Sequence, residues 1–137
     1  MIKPDITNYE QAVAYLYDMP RFTSKNSIED TKKFLKVLGN PERSLKIVHV
    51  AGTNGKGSVC AYLTSVLRKA GKKVCLFTSP HLTDIRERFV VEDAMVTKEV
   101  FFGAFCQVLT YLDGADELRE EYFPSFFEYL FFMGIKL

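Results

Sequence analysis

The sequence Gly52-Thr53-Asn54-Gly55-Lys56-Gly57-Ser58 places three glycines and a lysine between two segments of opposite character in a chain of 137 residues. Residues 46–51, before it, are short and β-branched, which is typical of a buried strand. Residues 57–70, after it, carry apolar side chains at helical spacing and end at Gly71, a residue that favours helix termination. A glycine-rich turn between a strand and a helix predicts a phosphate-binding loop.

Each part of this loop has a chemical reason to be present if the ligand is a nucleotide. Several backbone N–H groups must converge on the phosphate oxygens, and glycines permit the tight turn and the close approach. The start of the following helix adds unpaired amides and the positive end of its dipole. Lys56 can reach the β- and γ-phosphates and is the predicted catalytic residue, while Ser58 can contact phosphate or Mg²⁺. The predicted nucleotide-binding residues are Thr53, Asn54, Gly55, Lys56, Gly57 and Ser58.

The spacing of the loop differs from the common pattern GxxxxGK[ST]. Only two residues separate Gly52 from Gly55, and Gly57 intervenes between Lys56 and Ser58. The alternative is a plain strand-to-helix turn. That alternative explains the glycines, but it does not explain a lysine flanked by glycines at the start of a helix.

The order of elements around the loop predicts the fold class. Residues 73–78 are apolar enough for a second buried strand, so the chain has a strand, a glycine turn, a helix and a strand in succession. Such a βαβ unit has two parallel strands in one sheet, joined by a right-handed crossover, with the helix packed on the sheet. We therefore predict an α/β fold with a parallel sheet flanked by helices.

Capping patterns predict where the other helices begin. Thr7 and Glu10 are spaced as a capping box for a helix over residues 8–18, and Ser27 and Asp30 are spaced as another, for a helix that ends near Gly39. The remaining predicted elements are a possible strand over 89–91, a helix over about 98–112 capped by Thr97, and a final helix that begins after Pro124-Ser125 and runs from Phe126 to about Met133.

Composition excludes several classes of protein. The net charge is +1, so no electrostatic argument favours nucleic acid or an anionic membrane as a partner. No apolar run approaches the roughly 20 residues that span a bilayer. Three cysteines lie far apart without a secretory signal, which indicates free thiols in a reducing compartment. We expect a cytoplasmic protein.

Four motifs, taken together and in this order, carry a family resemblance. They are His49-Val-Ala-Gly-Thr-Asn-Gly-Lys-Gly-Ser58, Thr78-Ser-Pro-His-Leu82, Arg86-Glu-Arg88 and Pro124-Ser-Phe-Phe-Glu128. The first resembles the loop of the Mur ligase superfamily, and the set is similar to its folylpolyglutamate synthase and dihydrofolate synthase branch. The resemblance covers essentially the whole chain, and it implies a P-loop NTPase-like sheet as part of a Mur-ligase-type central domain.

The resemblance implies an ATP-dependent ligase with Mg²⁺ as its metal and with folate and L-glutamate as its substrates. ATP phosphorylates a folate-side carboxylate, and the amine of glutamate attacks the acyl phosphate to give an amide, ADP and phosphate. The protein's contribution to such a reaction is charge neutralisation and the alignment of two poorly reactive partners.

Residue roles follow from the resemblance position by position. Ser79 matches the family's Mg²⁺-binding serine, and a hydroxyl oxygen suits that metal. His81 and Arg88 are predicted substrate contacts, although His81 could instead be a structural loop residue, and Arg86 and Arg88 could form a solvated charged turn with Glu87. The other residues predicted to bind the folate-type substrate are Phe127, Glu128, Arg21 and Phe22.

The motifs divide the chain into a helical pair over 7–39, a βαβ unit over 46–78, and a loop with helices over 79–137. The resemblance also implies an acidic metal ligand and a C-terminal ligase domain, but neither is found in the sequence after Glu128. We therefore expect an incomplete N-terminal fragment that is catalytically inactive, binds nucleotide, and self-associates through apolar surface at residues 126–132. A dihydrofolate synthase or bifunctional enzyme, and a non-catalytic nucleotide-binding module, are the alternatives.

Overall fold

A computed structural model describes residues 5–20, 26–114 and 123–137 of the chain. The helices are α1 (Tyr9–Asp18), α2 (Ile28–Val37), α3 (Lys56–Lys69), α4 (Lys98–Gly114) and α5 (Phe126–Lys136). The strands are β1 (Cys75–Phe77), β2 (Phe89–Val91) and β3 (Ala94–Met95), and two short 3₁₀ helices cover Pro41–Ser44 and Ile85–Arg88.

Polar side chains cap the helices close to the predicted positions. The hydroxyl of Ser27 accepts from the Asp30 amide, and Asp30 in turn accepts from the Ser27 amide, so the predicted capping box of α2 is confirmed. The prediction for α1 was one residue early, because Asn8 is the N-cap and its side chain accepts from the Gln11 amide at 2.9 Å. The short Asn8 carboxamide reaches that amide directly.

The hydrophobic core lies between α1, α4 and α5. Helix α5 is apolar on most sides, which suits an element that is surrounded by its neighbours. Tyr129 is fully buried in α5 and donates its hydroxyl proton to the carbonyl of Phe105 at 3.0 Å, which satisfies its polar atom. The expected apolar surface at residues 126–132 is reduced, because Tyr129, Leu130 and Phe132 are fully buried, whereas Phe127 is 47% exposed.

The α/β class is confirmed, but the strands are arranged differently from the prediction. In the part of the chain that the structure describes, β1, β2 and β3 form one antiparallel sheet in that order. The turn between β2 and β3 consists of Glu92 and Asp93, both with positive φ, which is the geometry of a two-residue hairpin. The predicted short strand at 89–91 is thus confirmed as the middle of the sheet.

The predicted parallel pairing of residues 46–51 with residues 73–78 was wrong. Residues 46–51 form no strand, and β1 pairs with β2 instead. Parallel strands are stable where both of their faces are covered. Here Ile47 and Val48 are 59% and 63% exposed, so the burial that would favour parallel pairing is not supplied by the described residues.

Helix α3 forms where it was predicted but does not pack on the sheet. It contains no buried residue, and Val59 and Val66 of its expected apolar face are more than half exposed. Its recorded ion pair joins Arg68 to Asp93 in the hairpin turn between β2 and β3. No helix among the described residues is long and apolar enough to cross a membrane.

Gly134 allows a test of how α5 packs on the sheet. A Cβ atom added there would lie 3.5 Å from ring atoms of Phe77 and Phe89, which is ordinary van der Waals contact. We expect Gly134→Ala to leave stability unchanged or raise it by up to about 1 kcal/mol, because alanine favours helix. Gly134→Leu should cost about 1–3 kcal/mol through overpacking. Urea unfolding measures the free energy of unfolding of both variants. If Gly134→Leu were as stable as the unaltered chain, the close approach of α5 to the rings of Phe77 and Phe89 would be contradicted.

Candidate functional site

The glycine loop ends at a sharp turn into α3. Gly55 is the N-cap residue and has φ +74°, a left-handed conformation that glycine adopts without strain. The amide of Val59 makes the first intrahelical bond, to the Gly55 carbonyl at 3.0 Å. The amides of Lys56, Gly57 and Ser58 come before that bond and point out of the N-terminal end of the helix. They are arranged to bind an anion.

Lys56 folds back over its own loop. Its Nζ donates to the carbonyl oxygen of Gly52 at 2.5 Å and to that of Thr53 at 3.2 Å. Both acceptors are neutral and exposed, so a phosphate group can replace them without leaving a buried polar atom unpaired. The ammonium group is therefore held at the glycine loop by two exposed, neutral acceptors, from which an anionic ligand can displace it.

The segment from Ser79 to Asp84 follows β1 and contains a cis peptide bond between Ser79 and Pro80. Glu87 holds this segment in place, since its carboxylate accepts from the amides of Leu82, Thr83 and Asp84 at 2.7, 3.0 and 2.8 Å. The Thr83 hydroxyl donates to the same carboxylate at 2.7 Å. These hydrogen bonds lower the pKa of Glu87 to about 2, the backbone amide of Leu82 being the largest cause.

The charged residues after this segment are not a solvated turn. Arg86 makes a bidentate ion pair with Asp84, with Nη2 to Oδ2 at 2.7 Å and Nε to Oδ1 at 3.1 Å. The Arg86 side chain lowers the pKa of Asp84 to about 2. Arg88 is only 7% exposed, and its guanidinium lies over the ring of Phe126 at 5.4 Å from the centroid.

His81 is joined to two other elements. Its Nδ1 accepts from Nε of Arg88 at 2.8 Å, and its Nε2 lies 2.9 Å from the hydroxyl of Tyr17 in α1. Burial, followed by the nearby Arg88 charge, lowers the pKa of His81. Burial also lowers the pKa of Arg88, although a guanidinium stays protonated in proteins. The structure thus brings the predicted residues His81 and Arg88 into direct contact.

The predicted folate-side residues of α5 have different surroundings. Phe127 is 47% exposed, and its ring lies 5.9 Å from that of Phe77 at an interplanar angle of 46°, so part of the side chain is open to solvent. Oε2 of Glu128 accepts from the amide and hydroxyl of Ser125 at 2.8 and 2.7 Å and from Nδ2 of Asn26 at 2.9 Å. Glu128 therefore fixes the start of α5, and its substrate contact stays a prediction.

Two predicted residues, Arg21 and Phe22, lie outside the described residues. Ser79 is exposed and can offer a hydroxyl oxygen to Mg²⁺. Among residues 5–20, 26–114 and 123–137, no group of three or more His, Cys, Asp or Glu side chains is placed to hold a metal ion.

Sequence reasoning missed three residues that organise this region, namely Tyr17, Asn26 and Glu87. Asp84 and Glu87 have capping-box spacing, so the role of Glu87 could have been found from the sequence. Tyr17 reaches a partner 64 positions away, and Asn26 reaches one 102 positions away. No local pattern signals contacts over such separations.

Comparison with known proteins identifies relatives of one kind. The chain is 34% identical to a folylpolyglutamate synthase of Arabidopsis thaliana over an alignment 142 residues long, gaps included. That alignment covers 95% of this chain and 24% of that protein. It is 32% identical over 111 residues to a dihydrofolate synthase/folylpolyglutamate synthase of Bacillus subtilis. That alignment covers 81% of this chain and 26% of the Bacillus subtilis protein. No protein-family model matches the chain.

Solved structures agree with the sequence relatives. The fold matches a folylpolyglutamate synthetase from Lactobacillus casei with a TM-score of 0.85 and 28% identity, over 94% of this chain and 32% of that one. It matches a folylpolyglutamate synthase from Thermotoga maritima with a TM-score of 0.81 and 32% identity, over 93% of this chain and 29% of that one. The fold also matches a complex of folylpolyglutamate synthetase (FPGS) with AMPPCP and folate. The TM-score is 0.85 at 28% identity, over 94% of this chain and 32% of that one.

The predicted family relationship is therefore confirmed. The chain is related to the folylpolyglutamate and dihydrofolate synthases in sequence and in fold. It spans between 12% and 30% of the length of the curated relatives described by these comparisons.

Glu87 gives a test by pH. Its folded pKa of about 2 lies below the ordinary value of 4.5, so its stabilisation of the 79–84 segment is present above about pH 4.5 and is lost as pH falls towards 2. We expect the amides of Leu82, Thr83 and Asp84 to lose hydrogen-exchange protection across that window.

Glu87→Gln should produce the same loss of protection at neutral pH, because its amide oxygen carries no charge and accepts more weakly. Glu29→Gln is the matched control, since Glu29 is exposed in α2 and pairs with Lys32 within that helix. Unchanged protection of the three amides in Glu87→Gln would show that the carboxylate does not hold the segment.

Proposed function

We propose that this chain supplies the nucleotide-phosphate site and the folate side of an ATP-dependent ligase that adds L-glutamate to folates. The observation that carries the proposal is the glycine loop at the start of α3, with a left-handed Gly55 and with Lys56 bonded to two loop carbonyls, in a chain whose relatives include folylpolyglutamate synthases. A structural relative bound to AMPPCP and folate supports both ligand classes.

The reaction makes and breaks bonds in two steps. A folate carboxylate oxygen attacks the γ-phosphorus of ATP, and ADP leaves, which gives an acyl phosphate. The glutamate amine then attacks the acyl carbon, and phosphate leaves as the amide forms and the amine loses its proton. Phosphoryl transfer of this kind depends on positioning and on neutralising the phosphate oxygens.

The residues around the glycine loop would carry the charge of the transferred group. Lys56 exchanges its contacts with the Gly52 and Thr53 carbonyls for the β- and γ-phosphates, while the amides of Gly57 and Ser58 donate to phosphate oxygens. Mg²⁺, when bound, would neutralise further phosphate charge. Ser79 is the residue of this chain that would contribute an oxygen to it.

For the isolated chain we propose nucleotide binding without turnover. The phosphate-binding groups come from contiguous backbone, so local structure is sufficient to present them. Amide formation also requires the carboxylate, ATP and the amine to be held in fixed relative positions, which accounts for effective molarities of up to about 10⁵–10⁸ M. The chain spans 24% of the Arabidopsis thaliana relative and 26% of the Bacillus subtilis relative. A cytoplasmic location remains a prediction.

Two alternatives are separated by assay. Relatives named dihydrofolate synthase include proteins of Bacillus subtilis and Saccharomyces cerevisiae, which favours dihydropteroate as a second candidate acceptor. Incorporation of radiolabelled glutamate into tetrahydrofolate or into dihydropteroate distinguishes the two activities. Incorporation by the 137-residue chain alone would overturn the proposal that it does not turn over. ADP binding by this chain without incorporation in any longer form of the protein would favour a non-catalytic nucleotide-binding module.

Lys56→Ala tests the nucleotide site. We expect the substitution to weaken ADP binding by roughly 10- to 100-fold, because hydrogen bonds to charged groups contribute about 1.5–3 kcal/mol. Isothermal titration calorimetry measures the change. Lys69→Ala is the control, since Lys69 is exposed at the opposite end of α3, and its ADP affinity should equal that of the unaltered chain. Equal affinity of Lys56→Ala would contradict the assignment.

A further inference from the structure

Three side chains from separate elements form a continuous line of hydrogen bonds. Arg88 ends the second 3₁₀ helix, His81 lies in the segment after β1, and Tyr17 belongs to α1. Nε of Arg88 donates to Nδ1 of His81 at 2.8 Å, and Nε2 of His81 lies 2.9 Å from the Tyr17 hydroxyl. We call these three residues the Tyr17 relay.

The direction of the relay follows from its inner end. A guanidinium can only donate, so Nδ1 of His81 must accept and carries no proton. The proton of the neutral imidazole is then on Nε2, which donates to the Tyr17 oxygen. The hydroxyl proton of Tyr17 is left to donate to a further group.

The positive charge of Arg88, at the inner end of the relay, has unusual surroundings. Arg88 is 7% exposed, and the contacts recorded for its guanidinium within the described residues are the His81 nitrogen and the Phe126 ring. Neither partner carries a negative charge. A buried cation whose contacts among the described residues are all neutral is costly, and an anion bound nearby would offset that cost.

Tyr17 is held in position at the open end of the relay. Its ring stacks on Phe126 with centroids 5.8 Å apart and an interplanar angle of 17°. The Tyr17 residue is nevertheless 49% exposed, so a ligand can reach it. Phe126 contacts both Tyr17 and the guanidinium of Arg88, which keeps the hydroxyl and the charge on one side of α5.

We propose that the Tyr17 hydroxyl donates a hydrogen bond to a carboxylate oxygen of the acid substrate, and that His81 and Arg88 are positioning residues that fix the direction of that bond. This inference rests on the proposed ligase function, because that function supplies a carboxylic acid as the ligand. The relay offers a donor backed by a positive charge, and a carboxylate is an acceptor with a negative charge.

The first experiment measures the direction of the relay without any ligand. The chain contains two histidines, so His49→Gln leaves the His81 ring as the single imidazole in nitrogen NMR spectra. We expect the proton on Nε2 of His81. Arg88→Met removes the donor and should give a mixture of the two neutral tautomers. A proton on Nδ1 of His81 with Arg88 intact would overturn the proposal, whatever the protein's function.

The second experiment measures ligand binding. Tyr17→Phe keeps the ring on Phe126 and removes only the hydroxyl, and Tyr111→Phe is the matched control on α4. Titration with folate should show binding at least tenfold weaker for Tyr17→Phe and unchanged for Tyr111→Phe. Equal folate affinity of Tyr17→Phe and the unaltered chain, or no folate binding by the unaltered chain, would overturn the proposal.

Two further titrations separate this inference from the proposed function. If inorganic phosphate binds in a manner that depends on Tyr17 while folate does not, the assignment to a carboxylate is wrong. ADP binding that depends on Lys56 but occurs without folate binding would remove the relay's substrate role and retain the nucleotide site. Folate binding that depends on Tyr17 in a chain that does not bind ADP would retain the relay and reject the nucleotide site.

Discussion

The carboxylate of Glu87 is the constraint on which the candidate substrate side depends. It accepts hydrogen bonds from three consecutive backbone amides and one hydroxyl, and these bonds restrain the segment between β1 and the second 3₁₀ helix. His81 precedes the first of those amides directly, and Ser79 lies three residues before it, so both belong to the segment that these bonds restrain. Arg86 and Arg88 flank Glu87 in sequence, and each is used differently: Arg86 pairs with Asp84, whereas Arg88 is buried against a neutral ring.

Packing around this segment converts local hydrogen bonding into a tertiary arrangement. Helices α1 and α5 share the core with α4, and this core fixes the positions of Tyr17 and Phe126 relative to one another. The segment after β1 then meets α1 through His81 and meets α5 through Arg88. A histidine that looked like a simple loop residue therefore connects two elements, and its neutral tautomer is a consequence of a buried guanidinium.

The sequence predicted helices and caps well because those signals are local. The capping box of α2 and the Thr97 cap of α4 each depend on residues three positions apart. Strand pairing failed because it depends on partners far away in the sequence and on burial of both faces, and residues 46–51 are exposed apart from the half-buried Val50. Of the candidate site, the glycine loop and the contact of His81 with Arg88 involve predicted residues. Tyr17 and Asn26 were missed because only the tertiary fold brings them there.

The two halves of the candidate site are consequently stabilised in different ways. The side that carries His81, Arg88 and Phe127 is attached to a core of fully buried aromatic rings. The glycine loop and α3 have no buried residue, and the ion pair of Arg68 with Asp93 joins the helix to the sheet hairpin. The proposed phosphate site at the start of α3 therefore depends on backbone geometry that is set locally, by the left-handed Gly55 and the first helical turn. The proposed substrate site near Tyr17 instead depends on contacts that exist only once the whole core has formed.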